Sequence, residues 1–227
     1  MAERRDSLYG RRKGKPLSPR RTALMARDFK TLELDLDRPA PAALGSLFPV
    51  PVGEVCLEIG FGGGEHLIAE AGAAPAVGHI GAEPFLNGMA KAVAAIVDGG
   101  LKNIRLFGGD AVALLDWLPD GALARVDLLF PDPWPKKRHW KRRFVGPANL
   151  DRLARVLAPG GHFRFASDIE SYVEWTLRHV LARADFAWTA ERADDWRKPF
   201  PGWPGTRYEA KAVAAGRKST YLSFNRK

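Results

Sequence analysis

The sequence predicts an α/β fold, a doubly wound and mostly parallel sheet with helices on both faces. Two observations carry this. Short apolar runs alternate with longer segments of helical spacing, and acidic residues stand in or just after four of those runs. A strand followed by a helix and another strand makes the strands parallel, because each crossover returns the chain to the same end of the sheet. The carboxyl ends of such strands border one crevice, where ligands bind.

Residues 1 to about 30 mix basic residues with Gly, Pro and Ser (GRRKGKPLSPRR at 10–21) and show neither a helical nor a strand period, which reads as a flexible basic arm. A proline-rich connection at 38–53 (RPAPAALGSLFPVPVG) leads inward. Arm and linker are therefore expected over residues 1–45, and one folded domain over 46–227.

Val55 to Ile59 (VCLEI) reads as the first strand, breaking into Gly60-Phe61-Gly62-Gly63-Gly64, with a helix from about Glu65. His79 to Ala82 reads as the second strand, ending at Glu83. Pro84, a favourable first helical residue, leads into FLNGMAKAVAAIVDGG. Ile104 to Phe107 is the third strand, ending at Gly109-Asp110 before the helix AVALLDWL. Val126 to Phe130 is the fourth and runs into Pro131-Asp132-Pro133. A helix over Asn149 to Leu157 stops at Pro159-Gly160-Gly161. A fifth strand follows at His162 to Ala166, then a helix over Ile169 to Arg183. Phe186 to Thr189 and Thr220 to Asn225 read as closing strands.

Charge narrows the partner. The chain has 35 Lys+Arg against 26 Asp+Glu, a net +9. Residues 1–30 carry 10 basic and 3 acidic side chains, residues 31–135 carry 5 and 14, and residues 196–227 carry 8 and 1. Basic segments flanking an acidic one favour a polyanion over one face, against the plainer reading of a solvated surface. The arm either touches RNA or is disordered. The single Cys56 excludes an intrachain disulfide and a cysteine-rich zinc site, which fits a reducing cytoplasm. No apolar run approaches the roughly 20 residues that span a bilayer, and the first residues have no apolar signal core, so neither membrane insertion nor secretion is expected.

Four acids follow the strand rhythm: Glu58 inside the first, Glu83 after the second, Asp110 after the third and Asp132 after the fourth. Gly60, Gly62 and Gly64 leave room for a ligand against the backbone. Glu83 is placed to accept from ribose hydroxyls, and Asp110 from an adenine amino group. A nicotinamide dehydrogenase shares the glycine turn, but its fingerprint needs a third glycine at position 65, where this chain has Glu. A cationic sulfonium such as S-adenosylmethionine tolerates Glu58 and Glu65 better than a pyrophosphate does.

The most informative stretch is LLFPDPWPKKRHWKRR at 128–143. Three prolines restrain Asp132 and Trp134, which suits a site that orients a flat ring. Trp134 can stack on a base, and a carboxylate can accept from the Watson–Crick edge of guanine. Lys136 to Arg143 holds six Lys/Arg in eight residues, a substrate clamp by its place beside that loop.

These residues resemble the bacterial tRNA (guanine-N7-)-methyltransferases. The likeness runs from about residue 54 onward and rests on EIGFGGG (58–64), GAEP (81–84), GGDA (108–111), PDPWPKKRHWKRR (131–143), Ser167-Asp168 and TRYE (206–209). It implies a Rossmann-like sheet of the class I methyltransferase type, mostly parallel with an antiparallel closing strand. It further implies methyl transfer from S-adenosylmethionine, without a metal, to N7 of a guanine in the variable loop of tRNA (position 46), by a cytoplasmic monomer or homodimer. By resemblance Glu58, Gly60, Glu83, Asp110 and Asp132 hold the cofactor, and Asp132 is catalytic. Lys136, Asp168, Thr206, Arg207, Tyr208 and Glu209 contact the substrate, while Arg138, Lys141, Arg142 and Arg143 lie on RNA. The alternatives are a methyltransferase acting on another RNA base and an RNA-binding protein of the same fold.

Overall fold

The structure is a computed structural model and describes residues 12–227. The helices are α1 (Pro19–Arg27), α2 (Phe29–Leu32), α3 (Glu65–Ala73), α4 (Leu86–Asp98), α5 (Ala111–Trp117), α6 (Pro147–Val156), α7 (Glu170–Leu181), α8 (Asp194–Arg197) and α9 (Arg207–Ala214). The strands are β1 (Glu54–Ile59), β2 (Val77–Ala82), β3 (Ile104–Phe107), β4 (Leu123–Leu129), β5 (Leu157–Ser167), β6 (Phe186–Trp188) and β7 (Thr220–Arg226).

All seven strands join one sheet in the order β3-β2-β1-β4-β5-β7-β6. The first five are parallel, and β7 runs antiparallel between β5 and β6. The order reverses between β1 and β4, which puts the crevice beside the glycine turn after β1. Strand alternation sorts the faces. Leu57, Ile59, Val126, Leu128, Phe163 and Phe165 join one core with Leu114 and Leu115 of α5, Leu150 and Leu153 of α6, and Tyr172 and Val180 of α7. A second core joins Phe61 and Leu67 to Met89, Val93 and Ile96 of α4.

Several elements differ from expectation. In the region read as a period-less arm, residues 19–32 are helical. Ser18 accepts from Arg21 N at 3.4 Å as an N-cap, and Pro19 stands at the first turn. The helix forms because α4 offers it a surface: Leu24 buries in the α4 core, and Arg20 pairs with Asp98. One buried leucine contributes about 1.5–3 kcal/mol, which offsets the ordering of only a couple of residues. Leu32 therefore buries with it, and Leu34 N donates to Leu106 O at 2.8 Å, laying the chain along the β3 edge. The expected arm at residues 1–11 lies outside the described residues.

Pro84 is not the first residue of α4. Helix α4 begins at Leu86, because the Glu83 carboxylate captures Phe85 N at 2.8 Å and holds Phe85 extended. β5 starts at Leu157 and runs through Pro159-Gly160-Gly161, with a register shift in β4 between Leu123 and Arg125. The basic block is a 3-10 helix, Lys137–Arg142, and the TRYE segment opens α9. Among the described residues no helix is long and apolar enough to cross a membrane.

Candidate active site

The cavity follows from the switch in strand order. It encloses about 400 Å³ and is bordered by the ends of β1, β2 and β4 and by Asp110 where the chain leaving β3 enters α5. Gly60, Glu83, Asp110, Asp132, Arg142 and Tyr208, all expected site residues, meet on its wall. Gly60, Gly62 and Gly64 adopt φ values of 72°, 58° and 80°, which only glycine takes without strain. Gly62 N donates to the second oxygen of Glu83 at 2.7 Å, so one carboxylate clamps both the glycine turn and the start of α4. Burial pushes the Glu83 carboxyl up, against the pull of those two N–H groups. Asp110 also caps α5, accepting from Val112 N at 3.0 Å.

Glu58 does not line the cavity. It lies on the opposite face of β1, where His66 Nδ1 meets its carboxylate at 2.8 Å. Burial raises the Glu58 carboxyl, and Glu58 in turn holds His66 raised although burial alone would lower it. Beside it Arg164 grips Asp127 through two bonds, at 2.6 and 3.0 Å, and Arg125 bridges Asp127 and Glu70. This buried polar layer underlies the glycine turn.

The loop after β4 is strained on both sides of Asp132. Phe130 and Trp134 have φ of 49° and 44°, a left-handed backbone that costs a non-glycine residue about 1–2 kcal/mol. Neighbours hold both. Phe130 N donates to Ala166 O at 2.8 Å, and the Arg142 guanidinium sits 5.0 Å over the Trp134 ring.

Arg143 differs from the role expected of it. It is 4% exposed, donates to Pro133 O, Ser171 O and Ser171 Oγ at 2.7–3.0 Å, and lies over Trp140 and Tyr172 at 4.4 and 4.7 Å. A guanidinium so engaged braces the loop from inside and has no face for RNA. Lys136, Arg138 and Lys141 are exposed beside the cavity.

The remaining expected residues stand off the cavity. Asp168 pairs with Arg217 at 2.6 Å. Thr206 caps α9 by accepting from Glu209 N at 3.1 Å, and Arg207 stacks on Tyr208. Tyr208 itself packs on Gly62, where a β-carbon would come within 3.1 Å of its ring. The Glu209 carboxylate turns away to Trp203 Nε1, at 2.6 Å, and to the Tyr221 hydroxyl.

A further basic segment borders the cavity from the α4 side. Leu86 N donates to Arg12 O at 3.0 Å, Gly14 N to Asn87 Oδ1 at 2.7 Å, and Asn87 Nδ2 to Lys15 O at 2.7 Å. Residues 12–15 thus form a strap against Phe85, a cavity residue. Strap and 3-10 helix flank the glycine turn, one on the β2 side and one on the β4 side.

This sheet order, with a glycine turn at the switch point and acids on the next strand ends, defines a class I methyltransferase, a class whose methyl donor is S-adenosylmethionine. Solved structures agree on the fold. The 16S rRNA methyltransferase KamB aligns at a TM-score of 0.61 and 17% identity over 84% of this chain and 95% of its own. TrmN from Thermus thermophilus aligns at 0.54 and 16%, over 94% and 54%. A family model described as "Putative methyltransferase" matches residues 53–222. The tRNA (guanine-N(7)-)-methyltransferase of Chelativorans sp. is 59% identical over the full length of both chains, and that of Rhizobium meliloti 58% over 97% of this chain and 95% of its own. The chain belongs to the tRNA (guanine-N7-)-methyltransferase family.

The cavity fits that donor. Glu83, Asp110 and Asp132 give it negative charge, suited to a sulfonium, and the left-handed glycines keep side chains out of the ligand's path. Among the described residues no group of three or more His, Cys, Asp or Glu is placed to hold a metal ion.

Proposed function

We propose that this chain methylates N7 of a guanine in the variable loop of tRNA, with S-adenosylmethionine bound against Gly60, Glu83, Asp110 and Asp132. The supporting observation is a cavity walled by three carboxylates whose two flanks are basic and exposed. RNA held by Lys136, Arg138 and Lys141 on one side and the 12–15 strap on the other crosses the mouth between Trp134 and Tyr208. The 3-10 helix and the strap would hold backbone, while the two aromatic rings receive the base.

Bound there, S-adenosylmethionine would supply a methyl carbon on a positively charged sulfur; the in-plane lone pair of N7 would form the new N–C bond as the S–CH3 bond breaks and neutral S-adenosylhomocysteine leaves, with no proton to remove first. The protein's work is then placement and charge. Asp132, fixed between two left-handed residues, orients the base and offsets the positive charge that develops on the purine. Tyr208 closes the cavity over Gly62, and Lys136 stands on the base side of Asp132.

The test is transfer of labelled methyl from the cofactor to bulk tRNA, followed by mapping of the modified base. Label at N7 of one variable-loop guanine is expected. Label on another atom, or binding without transfer, would overturn the reading. Asp132→Asn should slow single-turnover methylation by at least about tenfold with saturating tRNA; an unchanged rate removes Asp132 from the chemical step.

A further inference from the structure

The basic stretch at 196–227 has more cations than the site so far employs. Of its eight Lys and Arg, Arg226 and Lys227 stand at the end of β7 away from the cavity, Arg197 lies over Trp196, and Lys198 pairs with Asp194. The other four gather at the cavity end of the sheet. Arg207 and Lys211, one helical turn apart on α9, lie 5.2 and 5.8 Å from the centre of the Tyr208 ring. Gly216, with φ of 69°, ends that helix, and Arg217 N returns to Ala212 O at 2.9 Å. Thr220 then pairs with Ser167 at the end of β5, which brings Arg217 onto Asp168 with Lys218 next to it.

The acids of this region are already engaged. Glu65, which shares a groove with α9, pairs with Lys91; Asp168 pairs with Arg217; and the Glu209 carboxylate accepts from Trp203 and Tyr221. Lys211 and Lys218 are exposed and pair with no acid among the described residues. They stand across the mouth from the 3-10 helix. Helix α9 adjoins α3 through the Glu65 groove, whereas the 3-10 helix packs through Trp140 on Trp175 of α7, and α3 and α7 cover opposite faces of the sheet.

We propose that Lys211 and Lys218 are a further contact with tRNA, a phosphate rail on the α9 side of the mouth opposite Lys136, Arg138 and Lys141. The inference rests on the tRNA methylation reading and adds to it which residues grip the strand beyond the target base. Charge supports it. Methyl transfer leaves the purine positive, and two cations over the ring that receives it would oppose the reaction if nothing answered them. A backbone phosphate lying against Arg207 and Lys211 answers both, and Lys218 continues the line towards the next one. The plainer role for Lys211, in the last turn of α9, is to complement the helix dipole. That role affects stability and leaves RNA alone.

Transfer of labelled methyl by the wild type is measured first and judges the methylation reading alone. The rail is judged by the Kd of tRNA across a range of salt, with kcat, KM and melting temperature, for K211A/K218A, K211R/K218R and K102E. Lys102 is exposed just before β3, at the end of the sheet away from the cavity, and K102E makes the same change in net charge as the double alanine variant. K211A/K218A should weaken tRNA binding by about tenfold or more and flatten log K against log salt by about 1–2. KM should rise with Kd while kcat stays within about threefold, because a phosphate grip holds ground state and transition state alike. K211R/K218R should bind within about threefold of wild type and K102E within about twofold, with the Kd of S-adenosylhomocysteine unchanged throughout. An unaltered slope in K211A/K218A overturns the rail, as does a lower melting temperature with tRNA affinity intact. Equal weakening by K102E, which would mean general attraction, overturns it too, and so does K211R/K218R binding as weakly as the alanine pair.

Discussion

Gly88 in α4 lies directly against the backbone of Gly62, and a β-carbon on Gly88 would stand 2.2 Å from the Gly62 carbonyl oxygen. The glycine turn and the helix behind the cavity are thus fitted backbone to backbone. Gly88→Ala should act against its helix propensity. Alanine favours a helix interior over glycine by about 0.5–1 kcal/mol, but overpacking against a backbone atom costs about 1–3 kcal/mol. A lower melting temperature and weaker S-adenosylhomocysteine binding are expected. Higher stability with unchanged affinity would show that the turn yields freely.

Arg143 should behave unlike the other cations of its run. Arg143→Ala removes donors to Pro133 and Ser171 and leaves their carbonyl oxygens without that partner, a loss of about 2–4 kcal/mol. Chemical denaturation should show the loss, while the salt dependence of tRNA binding keeps its slope. A flattened slope at unchanged stability would return Arg143 to the RNA surface.

Lys136, Arg138 and Lys141, replaced together by Ala, should give the reverse result. If each meets a phosphate, log K against log salt flattens by about 2–3 in slope, with stability and cofactor affinity intact. Asn87→Ala adds a separate check. It deletes no charge but removes two of the bonds that hold the strap at 12–15 to α4, leaving that of Leu86 N to Arg12 O, so tRNA affinity should fall while cofactor binding holds. Unaltered tRNA affinity would leave the strap out of the interface.

His79 sets an acid limit on stability. Burial, with Arg125 nearby, lowers its imidazole to about 4 from an ordinary 6.5. Below pH 6.5 the unfolded chain takes up a proton that the folded chain refuses. Stability from this group is therefore full above 6.5 and declines as pH falls towards 4, by about 3 kcal/mol in all. His79→Leu should flatten the stability curve across that window, measured as the difference from wild type. A parallel curve would assign the acid loss to other groups.

The sheet was legible because each core strand is an apolar run too short for a helix, and its end is marked by Gly, Pro or an acid. The Asp132 loop was legible because prolines enclose it. Helix α1 was not, since its apolar face is completed by α4, some 70 residues further on. Arg143 reads like Arg142 in the sequence; what separates them is a pocket built by Tyr172 and Trp175 of α7. Glu209 carries the TRYE motif, but its partner Tyr221 comes from the far side of the sheet. One signal was present and passed over: Asp127 and Arg164 each interrupt an apolar strand, and they face each other in the β4–β5 register. A charge on the inward side of two neighbouring strands announces a buried pair.

Both rims of the sheet are blunted. β6 has three residues, and on the other side the chain at Glu33 and Leu34 lies along β3, with Glu33 bridged to Leu106. An unpaired outer strand invites pairing with another molecule. The segment before the glycine turn is therefore a guard against self-association as well as part of the fold. A chain starting at residue 46 would bare the β3 rim and also take Leu24, Leu32, Leu34 and Leu44 out of the two cores, so clumping and loss of stability should come together.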